Sequence, residues 1–343
     1  MKIWIDILTP KQLLFSESII EKLGEKHEIL CTSRDYDEVT KLAIIRNFGL
    51  TFVGKHGGSG RKTKLNASID RIKKLSKKIE KFSPDIAISF CSPEAARISF
   101  GFGIKHIAFC DSPHANSVMR LTLPLIQKLL IPHNIPKKEF VKYGIDEKNI
   151  IQYKAIDAVV TIQRKINEKA TLPFKNKNKK NILIRLVEEE ASYTISKSNK
   201  ITPIIKKIVN EYGDENVVIL GRYSNQIKNL KKIMGSKVKI IEMSFDGKHL
   251  LNNTDIFIGS GGTMTAESAL MGIPTISYNA VPNIIEDFLV KKRLIHKETN
   301  PDKISKKINK IFASSNKENQ IRAEKIIKQM EDPVQKLMKI IKE

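Results

Sequence analysis

Gly259, Gly261 and Gly262 fall within four residues, with Ser260 among them, Thr263 directly behind and Glu267 one helical turn further on. An apolar run precedes this cluster and helix-spaced residues follow it, so the glycines are predicted to form a strand-to-helix turn. Such a turn aims backbone N–H groups and the positive end of a helix dipole at one point, and the missing Cβ atoms let a phosphate approach closely. Binding of a diphosphate is the chemistry this suits, with the Glu267 carboxylate placed to accept hydrogen bonds from sugar hydroxyls. A tight helix-packing turn is the competing account, although it does not call for the Ser/Thr pair or the acid.

Three further clusters carry chemistry. Residues 54–62 read Gly-Lys-His-Gly-Gly-Ser-Gly-Arg-Lys, a basic glycine-rich loop in which Lys55, His56, Gly57, Gly58 and Arg61 could close over an anionic substrate or hold an anionic acceptor; a mobile surface loop is the alternative. Asp111 and His114 stand three apart after a predicted strand, as a proton acceptor and its orienting partner would. Ser92, Pro93 and Glu94 open a helix and could line an acceptor site, though capping alone accounts for all three.

The elements that must position these residues alternate strand and helix along the chain. Strands are predicted at 2–7, 28–32, 50–53, 85–89 and 105–110, with short ones near Leu129 and Ile151. Ser33, Arg34 and Asp35 read as a loop after the second strand, and helices are predicted at 13–23, 36–48 (ended by Gly49) and 64–81. Residues 162–180 lose periodicity and collect Pro173 with Asn and Lys, the pattern of an interdomain linker. A second set of strands follows at 181–185, 217–220, 238–241, 255–258 and 274–277, and the chain ends in amphipathic helices at 302–312 and 317–342. Alternation of this kind implies parallel sheets. The expected architecture is α/β, with two doubly wound Rossmann-like domains facing one another across a cleft. The expected boundaries are 1–175, 176–320 and a C-terminal helix, 321–343.

Composition bounds the function class. A chain of 343 residues with 41% hydrophobic and 28% charged residues can bury two cores. It has no apolar run long enough to span a bilayer and no signal-peptide pattern at Met1, which predicts a cytoplasmic protein. Cys31, Cys91 and Cys110 lie in or beside predicted core strands and read as buried apolar residues, neither a disulfide frame nor a metal site. The formal charge of +23 comes mainly from dispersed lysines. It suits a solvated basic face or peripheral contact with an anionic membrane surface. No nucleic-acid-binding signature accompanies it, and aromatics are only 6%, so specific nucleic-acid binding is not expected. Nothing in the sequence sets the oligomeric state.

The segment from Gly259 to Met264, with Glu267 and the later Gly272-Ile273-Pro274, resembles the nucleotide-sugar signature of the GT-B glycosyltransferases. The spacing from Ser260 to Glu267 is similar to that of the N-acetylglucosaminyltransferase of peptidoglycan synthesis. The whole chain also resembles a largely archaeal family of GT-B-like proteins through Trp4-Ile5-Asp6, Ser33-Arg34-Asp35, Gly54 to Gly57, Ser92 to Arg97, Asp111 with His114, and Gly261 to Met264. The resemblance implies a nucleotide-sugar donor, UDP-linked by preference, held by the second domain, a hydroxyl acceptor on a cell-surface polysaccharide, glycolipid or other glycoconjugate held by the first, and a C-terminal helix, 321–343, that crosses back to the first domain. It implies no cofactor beyond the donor and no metal. Under it, Ser260, Gly261, Gly262 and Thr263 take the diphosphate, with Arg185 or Arg222 as the assisting cation, and Glu267 takes the ribose. Asp111 or His114 is the base, with Asp6 and Glu94 as outside candidates. UDP-N-acetylglucosamine 2-epimerases share this fold, but the His-Arg pair they carry after the first strand of the second domain is absent here, where the chain reads Ile184-Arg185-Leu186. A second departure is Ala266, at a place where the family commonly has arginine. A nucleotide-sugar or polyanion-binding protein without catalysis remains the rival of another class.

Overall fold

The computed structural model describes residues 1–58, 60–166, 172–187, 201–221, 224–235, 238–242, 246–278 and 283–342. The chain forms two compact units, one of Met1–Arg164 with the segment from Met330 onward, the other Lys165–Gln329. These boundaries compare with the 175/176 and 320/321 expected from composition.

In the first unit, β1 (Lys2–Ile7), β2 (Glu28–Asp35), β3 (Thr51–Lys55), β4 (Ile86–Ser89), β5 (Lys105–Phe109), β6 (Lys128–Pro132) and β7 (Ile150–Tyr153) build one parallel sheet in the order β3-β2-β1-β4-β5-β6-β7. The helices between them are α1 (Pro10–Leu23), α2 (Asp37–Arg46), α3 (Arg61–Phe82), α4 (Pro93–Phe102), α5 (Asn116–Thr122), α6 (Lys138–Val141) and α7 (Ala158–Gln163). The second unit has β8 (Asn181–Arg185), β9 (Asn216–Gly221), β10 (Lys239–Glu242), β11 (Ile256–Gly259), β12 (Thr275–Ser277) and β13 (Ile295–Lys297) in the parallel order β10-β9-β8-β11-β12-β13. Its helices are α8 (Ile201–Glu211), α9 (Ser224–Met234), α10 (Gly247–Asn252), α11 (Thr263–Leu270), α12 (Ile284–Lys291), α13 (Pro301–Phe312) and α14 (Lys317–Ile327). Both sheets are therefore doubly wound, and each reverses winding direction at one place: between β1 and β4, and between β8 and β11. Crevices at the carboxyl ends of such switch strands are where open α/β sheets take ligands.

The sequence explains how the long basic helix α3 packs. Only Arg71, Leu75 and Ile79 are buried along it, a single i, i+4, i+8 line, and the leucine and isoleucine join Trp4, Val53 and Ala95 in a core cluster. Gly54, at φ +73°, admits the helix: a Cβ there would come within 2.9 Å of Arg71 Cβ.

Several expectations are corrected. Ser33, Arg34 and Asp35 are not a loop but the end of β2, with an irregular register against β3 between Ser33 and Asp35. The basic loop is shorter than expected, because Gly54 and Lys55 finish β3 and Arg61 and Lys62 begin α3. The helix 36–48 ends earlier, at Asn47 in a left-handed conformation, instead of running to Gly49. The predicted helix 317–342 is two helices, α14 and α15 (Pro333–Lys342). Asp332 Oδ1 accepts from Val334 N at 2.8 Å and Pro333 takes the first helical position, so the pair starts a new helix and cannot continue the old one. The break matters because α14 belongs to the second unit while α15 belongs to the first. Strand β13 and helix α5 were not anticipated.

Candidate functional site

In the second unit the glycine cluster forms the turn from β11 into α11, beside the switch point. Each glycine there has its own physical reason. A Cβ on Gly259 would collide with the Thr265 hydroxyl and lie 2.5 Å from the Phe257 ring, and Gly261 sits at φ +97°. Those two are explained by packing and backbone conformation alone. Gly262 is not: it is exposed, has φ −88°, and a Cβ on it would meet nothing within 4 Å. Gly261 N–H donates to Thr265 Oγ1 at 3.2 Å, and Asn283 Nδ2 donates to the Gly261 carbonyl at 2.8 Å, so the turn is fixed from both sides. Among the described residues, the N–H groups of Gly262, Thr263 and Met264 have no hydrogen-bond acceptor, and no side chain caps the helix. Ser260 and Thr263 are partly exposed beside them.

Glu267 lies in the same helix and is only 5% exposed. Arg185 ends β8, one residue beyond the Ile184–Ile258 pair of the ladder, and is also buried; its Nη1 donates to the Gly221 carbonyl at 2.9 Å. Arg222 lies outside the described residues. Asn283, which sequence reasoning missed, caps α12 by accepting from Glu286 N at 2.9 Å while holding the glycine turn. An Asn three residues before an acid at a helix start was the signal available for it.

In the first unit the switch point is filled by charge. Asp6, at the end of β1, and Arg71 are each 1% exposed and form a two-pronged ion pair, Nη2 to Oδ1 at 2.6 Å and Nη1 to Oδ2 at 3.1 Å. Ser92 and Thr32 each donate a hydroxyl to the same carboxylate at 2.6 Å, Trp4 Nε1 donates to Thr32 Oγ1 at 2.7 Å, and Arg71 Nε donates to the Val53 carbonyl at 3.1 Å. Burial would raise the Asp6 carboxyl, but Arg71 and the two hydroxyls hold it below the usual carboxylate range. Asp6 is therefore not a base: its lone pairs are occupied and its charge is neutralised. Ser92 is likewise committed, since its Oγ also caps α4 by accepting from Ala95 N at 3.2 Å. Buried Glu94 stands 3.7 Å from Arg71.

Asp111 and His114 follow β5. Asp111 is ion-paired to Lys11, which also reaches Asp157 at 2.6 Å, and Tyr153 donates its hydroxyl to Asp157. Burial would raise Asp111, but Lys11 and the Ser112 hydroxyl hold it below the ordinary value. Burial pushes Asp157 up, with Lys11 pulling it back. Partial desolvation holds His114 below the ordinary 6.5 against the pull of Asp111. Lys11 and Asp157 were not anticipated, because their partners are distant in sequence.

Among the described residues no group of three or more His, Cys, Asp or Glu side chains is arranged to hold a metal ion. No helix among them is long and apolar enough to cross a membrane. Cys31, Cys91 and Cys110 are buried free thiols.

Two Rossmann-like units of this topology define a fold of the GT-B type, and comparison with solved structures agrees. UDP-GlcNAc 2-epimerase from Neisseria meningitidis, bound to UDP-GlcNAc, superposes with a TM-score of 0.75 at 16% identity over 100% of both chains. Spinosyn rhamnosyltransferase SpnG, complexed with spinosyn aglycone, does so with 0.61 at 12% identity, again over 100% of both. The chain belongs to the family described as "Protein of unknown function (DUF354)", which matches residues 1–343. It is 28% identical over 307 residues to the uncharacterized protein MJ0665 of Methanocaldococcus jannaschii, covering 86% of this chain and 87% of that one.

Proposed function

We propose that this protein is a nucleotide-sugar enzyme, and within that class a glycosyltransferase that moves a sugar from a nucleoside diphosphate, UDP by preference, to a hydroxyl acceptor. The observation that carries the reading is the turn after β11: three backbone N–H groups without acceptors around Gly262, a glycine that no protein contact requires. Donors fixed in this way stabilise the charge that grows on a departing diphosphate without reorganising. Glu267 takes the ribose hydroxyls, and Arg185 strengthens the positive end of the site. On the acceptor side the electrostatics favour His114 over Asp111 as base. A carboxylate held low by Lys11 is a poor proton acceptor, whereas an imidazole below 6.5 is neutral at pH 7. In the reaction the acceptor oxygen bonds to the anomeric carbon, the bond from that carbon to the diphosphate breaks, and the acceptor proton passes to His114.

Epimerisation is the second reading, favoured by the higher TM-score to an epimerase than to a transferase. The absence of a histidine beside Arg185 counts against it. Calorimetry with UDP tests the shared part, and absence of binding at millimolar UDP overturns both readings. Incubation with UDP-GlcNAc alone, followed by NMR, separates them: an epimerase yields the C2 epimer without acceptor, whereas a transferase leaves the sugar unchanged until acceptor is added.

A further inference from the structure

Arg34 is the charged side chain whose environment the fold leaves unexplained. It sits at the irregular end of β2, partly buried, and among the described residues it makes no ion pair and no side-chain hydrogen bond; its Nε–H is shielded from water and has no acceptor. Of the neighbouring carboxylates, Asp6 is engaged by Arg71 and two hydroxyls, whereas Glu94 stands 3.7 Å from Arg71 with an Oε2 that accepts no hydrogen bond, and its charge acts on Arg34 without pairing to it. An N–H shielded without an acceptor costs stability, and the charges of Glu94 and Asp6 offset the partial burial of Arg34 only in part. Burial accordingly pulls Arg34 below its ordinary value.

Two more donors are brought beside it. His56 N–H donates to the Asp35 carbonyl at 3.0 Å, and the His56 ring packs on Tyr36 with centroids 4.7 Å apart. Its Nδ1 accepts from Gly58 N–H at 3.2 Å, so Nδ1 is unprotonated and the neutral ring carries its proton on Nε2, a hydrogen-bond donor. Gly57 lies flat on the first turn of α3, where a Cβ would come within 2.6 Å of Lys64 Cα, and this close approach puts the Lys64 ammonium within electrostatic range of His56. Lys64 has no ion pair among the described residues.

We propose that Arg34, His56 Nε2–H and Lys64 form an anion subsite in the first unit that takes a phosphate monoester carried by the acceptor. A fork of N–H groups, a ring N–H and an ammonium approaching from three elements suit the several oxygens of a tetrahedral phosphate better than a planar carboxylate. The assignment to the acceptor rests on the transferase reading above; the anion subsite itself does not.

The test compares wild type with Arg34→Met and Arg34→Lys by thermal melting in inorganic phosphate, glucose 1-phosphate or glucuronate, each at constant ionic strength. Phosphate and glucose 1-phosphate at about 10 mM are expected to raise the wild-type Tm by about 2 °C or more and glucuronate by less; Arg34→Met should not respond, and Arg34→Lys should recover part of the shift. Without ligand, Arg34→Met should melt within about 2 °C of wild type, because a shielded donor without an acceptor is gone together with a charge that Glu94 and Asp6 attract only at a distance. A phosphate response retained in Arg34→Met overturns the proposal, as does a response larger for glucuronate. A ligand-free Arg34→Met that melts several degrees lower also overturns it, by making Arg34 structural. UDP calorimetry on both proteins keeps the two readings apart: the subsite fails with UDP binding intact, whereas the transferase reading fails when wild type does not bind UDP.

Discussion

The cluster around Asp6 and the turn around Gly262 occupy equivalent places in their sheets, each beside the strand pair where winding reverses, yet they treat polar groups in opposite ways. Around Asp6, charge meets charge: Arg71, Ser92 and Thr32 close on one carboxylate and exclude water. Around Gly262 no side chain intervenes and the backbone keeps donors open. A satisfied network holds elements together, whereas an unsatisfied turn is available to a ligand. Position in the fold alone therefore does not distinguish scaffold from site; the state of the hydrogen bonds does.

Substitutions can break this contrast, and the strongest falls on the closed network. Arg71→Met leaves the Asp6 carboxylate buried without its cation and should destabilise the first unit by about 3–5 kcal/mol. Denaturant unfolding followed by the fluorescence of Trp4, the single tryptophan, reports on that unit alone. Adding Asp6→Leu should recover most of the loss, since a buried ion pair replaced by apolar groups is often neutral.

Next in size is a pH effect. His106 in β5 is fully buried, bonded through Nε2 to Ser89 Oγ at 2.9 Å, and burial pushes it down to about 4. The unfolded chain binds this proton near 6.5 and the folded chain only near 4, so the unfolded state carries more protons between those values. Stability should be full above pH 6.5 and fall as pH drops towards 4, by about 3 kcal/mol from this residue. The same Trp4 signal in His106→Gln should lose that slope.

A sharper test lies inside the turn. Gly259→Ala should cost about 1–3 kcal/mol through overpacking against Thr265 and Phe257, whereas Gly262→Ala should leave stability within about 0.5 kcal/mol and weaken UDP binding about tenfold. Thermal melting and calorimetry on the same two proteins read both effects. The smallest effect is expected on the surface, where Lys207 joins Glu211 and Asp302 at 2.7 Å each. Lys207→Ala should leave Tm within about 1 °C, because exposed pairs are worth little.

The strand β8 and the turn after β11 were legible in the sequence because each is marked locally, by an apolar run bounded by turn residues or by glycines of special conformation. Arg71 was not: it stands among lysines that read as solvated surface, and its partner Asp6 is 65 residues away. Lys11 and Asp157 escaped for the same reason, since only the folded sheet brings them to Asp111. The end of β2 was misread because Ser33, Arg34 and Asp35 are polar and look like a turn, although polar residues belong at the strand end that feeds a site. The break at Asp332-Pro333 was in plain view as a cap followed by a first-turn proline, but the amphipathic pattern on either side of it concealed the stop.

That break has a consequence for how the protein is made. The helix α15 buries Val334, Leu337, Ile340 and Ile341 in the first unit, tied there by Lys22 to Asp332 and by Lys154 N to Glu331 Oε2 at 2.7 Å. A ribosome delivers residues 165–329 between the two pieces of that unit, so the first unit is completed only after the second has been synthesised. Until α15 emerges, its docking surface on the first unit stays uncovered, and the second unit can finish folding before the first is closed.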